Sequence, residues 1–397
     1  MHEFIPYGRQ NIDEEDLKAV TEALRSDWIT QGPRVEEFET RVAEYCGARY
    51  AVAFNSGTSA LYAAMYAAGI EAGDEVITPP LTFVATANAA LYVGARPVFV
   101  DIDKNTYCMD TEGIEEVITP RTRAIVPVDY AGYPVDMKRI REIAAKHNLV
   151  VIEDAAHALG AEREGAKVGT QADMTMFSFH PVKHITTGEG GMIVCNNSDY
   201  YQRLKLFRNH GITKEVEYLE ANDGPWYYEM QELGYNFRIT DIQSALGISQ
   251  MNKLEKFMQE RKLLAGKYDR AFNNVNWLQT PPTPPSGSSH AYHLYPLLLA
   301  AQVNRTEFFT YLRQHNIGVQ VHYIPVHLQP YYRRCFGYKP GDFPKAENFY
   351  AREISLPLFP GLTLEQQEYV IKMVKNFRKG RGNVKQRKGE SFYDYQP

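Results

Sequence analysis

Apolar residues in this chain follow two rhythms. Near the start they recur at helical spacing: Leu17, Val20, Ala23 and Leu24, then Val35, Phe38, Val42 and Tyr45. That period predicts two amphipathic helices, over 12–25 and about 34–46, with Asp13 capping the first and SDWITQGP between them. From Tyr50 onward, short apolar runs alternate with helical stretches. The runs are Tyr50 to Phe54, GDEVITPP, RPVFVDI, AIVPVD at 124–129, LVVIE at 149–153 and Met174 to Phe179. Helices are expected at LTFVATANAALYVG, 110–118, 136–147 and 198–210. The runs lack period-two alternation, which suits parallel strands buried on both faces. The pattern predicts an α/β doubly wound fold. In such folds functional groups gather at the carboxyl ends of the strands.

The second half reads differently. Thr240 and Gln243 form a capping box before a helix carrying Ile242, Ala245 and Leu246, and a long linking helix, KLEKFMQERKLLAGKYDRAF, follows. PPTPPSGSSH at 281–290 breaks the chain before the strand HLYPLLL, a helix at about 305–315 and GVQVHYIP. A final helix opens with Thr363 and Gln366 and presents Val370, Met373, Val374 and Phe377. The organisation expected is a large domain over 1–254, a smaller α+β domain over 255–380 and a flexible basic tail over 381–397.

Composition narrows the function classes. A length of 397 residues allows two or three domains, and 44% hydrophobic with 23% charged residues is ordinary for a soluble globular protein. A net charge of -5 gives no general attraction to nucleic acid or to an anionic membrane. No apolar run approaches the ~20 residues needed to cross a bilayer. The polar, acidic start MHEFIPYGRQNIDEED does not read as a secretory leader. The four cysteines have no CxxC spacing, which argues against a disulfide framework and a cysteine-built zinc site and suits a reducing cytoplasm. His180 and His184 are four apart, but Pro181 and the following threonine–glycine run oppose a helix there, so no metal is expected. His290, His293, His322 and His327 read as structural or rim residues. GxGxxG after a strand, GxxxxGK[ST] and GxSxG are all absent.

The remaining candidate chemistry centres on FSFHPVKHITTGEGG, 177–191. Five residues beyond Ser178, at the end of an apolar strand, stands Lys183, before the run Gly188-Glu189-Gly190-Gly191. A lysine between a buried strand and a glycine-rich turn is drawn toward its neutral, nucleophilic form. That suits a Schiff base with pyridoxal phosphate; an ordinary surface lysine is the alternative. Asn55-Ser56-Gly57-Thr58-Ser59-Ala60 joins a strand to a helix, which makes either an anion site served by the hydroxyls of Thr58 and Ser59 or a plain helix cap. Asp154 follows four apolar strand residues and is either paired or a cap. His157 and Phe83 also follow strands.

Together these pieces resemble the DegT/DnrJ/EryC1/StrS aminotransferases, of fold type I. The resemblance spans about 4–380 and is carried by NSGTSAL at 55–61, PLTFVATANA at 80–89, EDAAHALGA at 153–161, FSFHPVKHITTGEGG, and LGYNFRITDIQSALG at 233–247. It implies pyridoxal 5'-phosphate as cofactor, with Lys183 carrying the Schiff base and Asp154 pairing with the pyridine nitrogen. It implies His157 beside the ring, where many members have glutamine, and Phe83 on the ring face. Gly57, Thr58 and Ser178 would hold the phosphate. Asn236 would reach the phosphate of a neighbouring subunit, which implies a homodimer with shared active sites. Some relatives have histidine in place of the lysine and dehydrate sugars; Lys183 therefore favours transamination. PVDYAGYPVDM, GPWYYEMQELGYNFRITDIQSALG and VQVHYIPVHLQPYY look closest to members that aminate C4 of a UDP-linked 4-keto-6-deoxy-N-acetylhexosamine for pseudaminic acid. These take L-glutamate as donor and make UDP-4-amino-4,6-dideoxy-N-acetyl-β-L-altrosamine. A GDP- or dTDP-linked keto sugar, or a cofactor-binding regulator without catalysis, are the alternatives.

Overall fold

The computed structural model describes residues 3–377. The tail expected at 381–397 lies outside the described residues. The described residues form twelve α-helices and fourteen strands, with helical segments between successive strands over residues 50–154. Helices α1 (Glu14–Arg25) and α2 (Pro33–Cys46) precede the first strand. The main sheet comprises β1 (Tyr50–Phe54), β2 (Glu75–Thr78), β3 (Arg96–Phe99), β4 (Thr122–Ile125), β5 (Val150–Asp154), β8 (Met174–Ser178) and β9 (Gly191–Cys195). A small hairpin, β6 (Glu162–Arg163) with β7 (Ala166–Lys167), lies between β5 and β8 in the chain. Strand order in the main sheet is β1-β9-β8-β5-β4-β2-β3. All neighbours are parallel except β9, which runs antiparallel to β1 and β8. The mixed, doubly wound sheet is therefore the observed architecture.

Helices α3 (Gly57–Ala67), α4 (Val84–Tyr92) and α5 (Met137–His147) connect these strands, and α6 (Ser198–Arg208) follows the last of them. The alanine-rich α3 lets the helix approach the sheet closely, and Ala60, Ala63 and Ala64 are buried with Ile152, Met174 and Met176. On another side Phe38 and Val42 of α2 pack with Phe177, Phe179 and Val194. A further small pair, β10 (Ile212–Thr213) and β11 (Glu229–Met230), precedes α7 (Asp241–Met251) and α8 (Leu254–Phe272). Strands β12 (Leu278–Gln279), β13 (Tyr295–Leu299) and β14 (Glu353–Leu356) form a separate antiparallel sheet. Around it are α9 (Arg305–Gln314), α10 (Pro330–Phe336), α11 (Pro344–Arg352) and α12 (Leu364–Asn376). Its apolar core gathers Tyr268, Leu297, Phe308, Ile354 and Val370, and Ile5 from near the start of the chain joins it.

Three local expectations change. Residues 110–118 form two short 3-10 turns, Thr111–Gly113 and Glu115–Val117, rather than one helix. Strand β4 ends at Ile125, ahead of Pro127, which has no N–H to continue the ladder. Helix α1 buries Asp16 and Ala23, while Leu17 and Leu24 are 54% and 57% exposed. The reason is polar: Asp16 accepts from Gln250 Nε2 of α7 at 2.8 Å and pairs with Lys253 just beyond it, which turns that side of the helix inward.

Candidate active site

The carboxyl ends of the parallel strands converge on one cluster. Strand β5 ends at Asp154, which is 5% exposed. Its Oδ2 accepts from Thr86 Oγ1 at 2.6 Å and its Oδ1 from the Ala156 N–H at 3.1 Å. Thr86 lies in the first turn of α4 and shares a second bond with Thr82, at 2.7 Å. Both donors to Asp154 are neutral, and no cation lies within ion-pair distance among the described residues. Burial raises its carboxyl, the Thr86 and Ala156 bonds oppose that, and the Lys183 charge opposes it less strongly.

Lys183 sits in the turn after β8. Its side chain keeps some surface, but its amine lies deep among protein atoms. Burial pulls the amine down to about 8; the Asp154 carboxylate works against that shift, and the Arg261 guanidinium adds to it. The amine is thus partly neutral near physiological pH, as a nucleophile must be.

His157 is buried, and its tautomer follows from its partners. Nδ1 accepts from the Ala131 N–H at 3.2 Å, so the ring proton belongs on Nε2, which donates to Tyr323 Oη at 3.1 Å. Burial, then the Lys183 charge, hold the imidazole well below its usual range, hence neutral. The Tyr323 ring lies 5.9 Å from that of Phe83, which caps α4 and is 55% exposed.

The 55–59 turn forms the next wall. Ser56 and Ser59 close a capping box at the start of α3. The Ser59 hydroxyl donates to Asn55 Oδ1 at 2.7 Å, so it serves the cap and not an anion. The N–H groups of Gly57 and Thr58 have no carbonyl one turn back within the helix. A Cβ on Gly57 would sit 3.3 Å from Ser178 Cβ, which puts the Ser178 hydroxyl against this turn. The glycine run has a packing role here: a Cβ on Gly191 would stand 2.4 Å from the Ser56 carbonyl oxygen. Asn236 is exposed, and its neighbour Phe237 accepts from the Asn55 N–H at 2.9 Å, which leaves Asn236 at the edge of the same turn.

Lys183, Asp154, His157, Phe83, Gly57, Thr58 and Ser178 thus occur together, with Asn236 at the rim. Residues not singled out from sequence join them. Thr86 lies within the quoted stretch 80–89, and Tyr323 within VQVHYIP, but nothing local marks either. His293 is buried, not at the rim: its ring lies 4.3 Å from that of His157, and burial first holds it neutral. Arg261 of α8 is fully buried and donates to the carbonyls of Tyr292, His293 and Leu358. His180 is exposed, whereas His184 is buried against the Ala291 carbonyl, at 3.2 Å.

Residues 10–375 match the DegT/DnrJ/EryC1/StrS aminotransferase family. The chain belongs to that family. The SpsC spore coat polysaccharide biosynthesis protein of Bacillus subtilis is 43% identical over 95% of this chain and 98% of its own. A UDP-4-amino-4,6-dideoxy-N-acetyl-beta-L-altrosamine transaminase of Campylobacter jejuni is 41% identical over 92% and 95%. Among solved structures, Helicobacter pylori PseC, an aminotransferase involved in the biosynthesis of pseudoaminic acid, superposes with a TM-score of 0.89. It is 38% identical and covers 95% of this chain and 100% of its own. Spr1654 of Streptococcus pneumoniae, solved in its PLP-form, superposes with a TM-score of 0.88 at 31% identity over 95% and 99%. The fold is that of this family's fold-type I aminotransferases. No helix among the described residues is long and apolar enough to cross a membrane.

Proposed function

We propose that this aminotransferase uses pyridoxal 5'-phosphate to move the amino group of L-glutamate to C4 of a UDP-linked 4-keto-6-deoxy-N-acetylhexosamine. The product is UDP-4-amino-4,6-dideoxy-N-acetyl-β-L-altrosamine, a precursor of pseudaminic acid. The observation that carries the chemistry is a buried Asp154 bonded only to neutral donors, Thr86 and the Ala156 N–H, with the Lys183 amine near enough for the two charges to act on each other. The substrate choice rests on the names of the Campylobacter and Helicobacter relatives. The Bacillus relative, named for spore coat polysaccharide, favours a second reading: another nucleotide-linked keto sugar.

The residues fit the cofactor. Asp154 supplies the buried negative charge that a protonated pyridine nitrogen needs, and Thr86 fixes its orientation. The Gly57 and Thr58 N–H groups, the Thr58 hydroxyl and Ser178 Oγ form a cradle for a phosphate at a helix N-terminus. Phe83 would cover a ring face, and His157, held by Tyr323 and Ala131, would lie beside the ring. Bound pyridoxal phosphate supplies an electron sink conjugated to the substrate carbon. Lys183 Nζ would hold the cofactor, and as a free amine it would carry a proton between the donor's α-carbon and the product. Asp154 Oδ1 and Oδ2 hold the balancing charge throughout. We also read the enzyme as a cytoplasmic homodimer. Leu17, Leu24, Trp28, Ile29 and Phe83 are all more than half exposed, which leaves apolar surface for a second copy, and the family resemblance would have Asn236 of one copy reach the phosphate bound by the other.

Two measurements test this. Borohydride reduction of cofactor-loaded protein followed by peptide mapping should place the label on Lys183; a label elsewhere ends the reading. A panel of UDP-, GDP- and dTDP-linked keto sugars with L-glutamate should give amination of the UDP-linked 4-keto acetamido sugar. Turnover confined to another nucleotide sugar transfers the assignment to the second reading.

A further inference from the structure

Behind Asp154 lies a second pair of acids that the reaction does not use. Asp129 follows β4 and is fully buried; Glu153, next to Asp154 on β5, is 2% exposed. The two segments are joined by backbone: the Asp129 N–H donates to the Asp154 carbonyl at 3.1 Å. Asp129 Oδ1 accepts from the Val135 N–H at 2.9 Å, and Glu153 Oε2 accepts from Thr175 Oγ1 at 2.8 Å. The remaining Asp129 oxygen, Oδ2, is buried and has no N–H or O–H donor. The parallel bridge between Val128 and Asp154 puts the Asp129 and Glu153 side chains on one face of the sheet, close enough for each carboxyl to raise or lower the other's proton affinity. Two carboxylates only accept, so a hydrogen bond between them exists only when one oxygen carries a proton. The other titratable groups facing the pair are Asp154 and the thiols of Cys108 and Cys46. None is a cation, so among the described residues nothing but a proton offsets the charge of this buried pair.

We propose that Asp129 and Glu153 share one proton and thereby act as positioning residues that keep Asp154 the single ionised carboxylate facing the cofactor. The inference rests on the cofactor reading only for that consequence. The proton itself belongs to the folded chain with or without cofactor. Burial first, then mutual repulsion, hold Asp129 well above the carboxylate range, and burial pushes Glu153 up to about 7. The pair titrates as a unit. The shared proton spares Asp154 a third adjacent negative charge, which would loosen the hold on it of the Thr86 and Ala156 donors.

The experiment compares the full chain with Asp129→Asn and with Glu153→Gln. An amide at either position donates to the remaining carboxylate without needing a proton. Wild type should take up about one more proton on folding than either variant between the acidic range and neutrality, read as the pH dependence of the urea midpoint. The sign is fixed: a raised folded pKa means stability that falls as pH rises through that range, and the variants should lose this fall. Difference infrared spectra should show a protonated-carboxyl band in wild type that is missing from each variant. Glu353 is also buried, and burial pushes it up to about 8, so its band should persist in all three proteins. Identical proton uptake and identical bands in wild type and variants overturn the proposal. If one variant fails to fold, the other decides. Borohydride labelling of Lys183 in the variants separates the two readings: labelled protein without the shared proton refutes only this inference, and unlabelled wild type refutes the cofactor reading.

Discussion

Two buried aspartates in this chain have opposite fates. Asp16, in the seam between α1 and α7, is fully buried and answered by charge: Lys253 Nζ at 2.5 Å, with Gln250 beside it at 2.8 Å. Asp154, at the floor of the strand ends, is nearly as buried and is held by a threonine hydroxyl and one backbone N–H alone. In the seam the protein supplies a cation of its own to the buried acid. The floor keeps a charge that the protein does not neutralise, and a fold keeps such a cost where a ligand is to supply the partner. Burial of an acid is therefore uninformative by itself; the identity of its partners separates architecture from chemistry.

The comparison can be broken most sharply at the floor. Lys183→Ala should leave the fold and lower transamination by about 10⁴-fold, the upper end for loss of a general acid–base group; progress curves against a sugar acceptor check it. Asp154→Ala should cost about 10²–10³-fold in kcat, as for loss of a preorganised charge, with little change in the thermal midpoint. In the seam the order reverses. Asp16→Ala should lower unfolding free energy by about 1–3 kcal/mol, since Lys253 retains Asp13 and only part of the network is lost. Its kcat under folding conditions should match wild type, and urea titrations with matched kinetics decide the point. A smaller change separates orientation from charge: Thr86→Val removes one bond to an ionised carboxylate and should slow turnover by about tenfold or somewhat more. The pH dependence sharpens the contrast last. Only the neutral amine attacks an aldehyde, and the Lys183 amine is drawn down to about 8. Capture of added pyridoxal phosphate by cofactor-free protein should therefore accelerate as pH rises through about 8, followed by absorbance. A rate indifferent to pH there would place the attachment elsewhere.

Much of this was legible in the linear order of residues. Apolar runs without alternation mark strands covered on both faces, and the turns after them carry Lys183, Asp154, Phe83 and the 55–59 turn. Caps are local too: Asp13, Thr240 and Thr363 begin helices as their spacing implies. Periodicity could not tell which side of a helix turns inward. Leu17 and Leu24 set the apolar stripe of α1, yet the Asp16–Lys253 pair decides its burial, and that pair joins residues 237 apart. The same holds for Thr86 under Asp154, 68 residues away, and Tyr323 on His157, 166 away. Local propensity and patterning act over a few neighbouring residues, so they specify elements and the turns between them. The partners that set a charge, a tautomer or a shared proton are brought together only by the packing of distant segments, and that selection belongs to the tertiary structure.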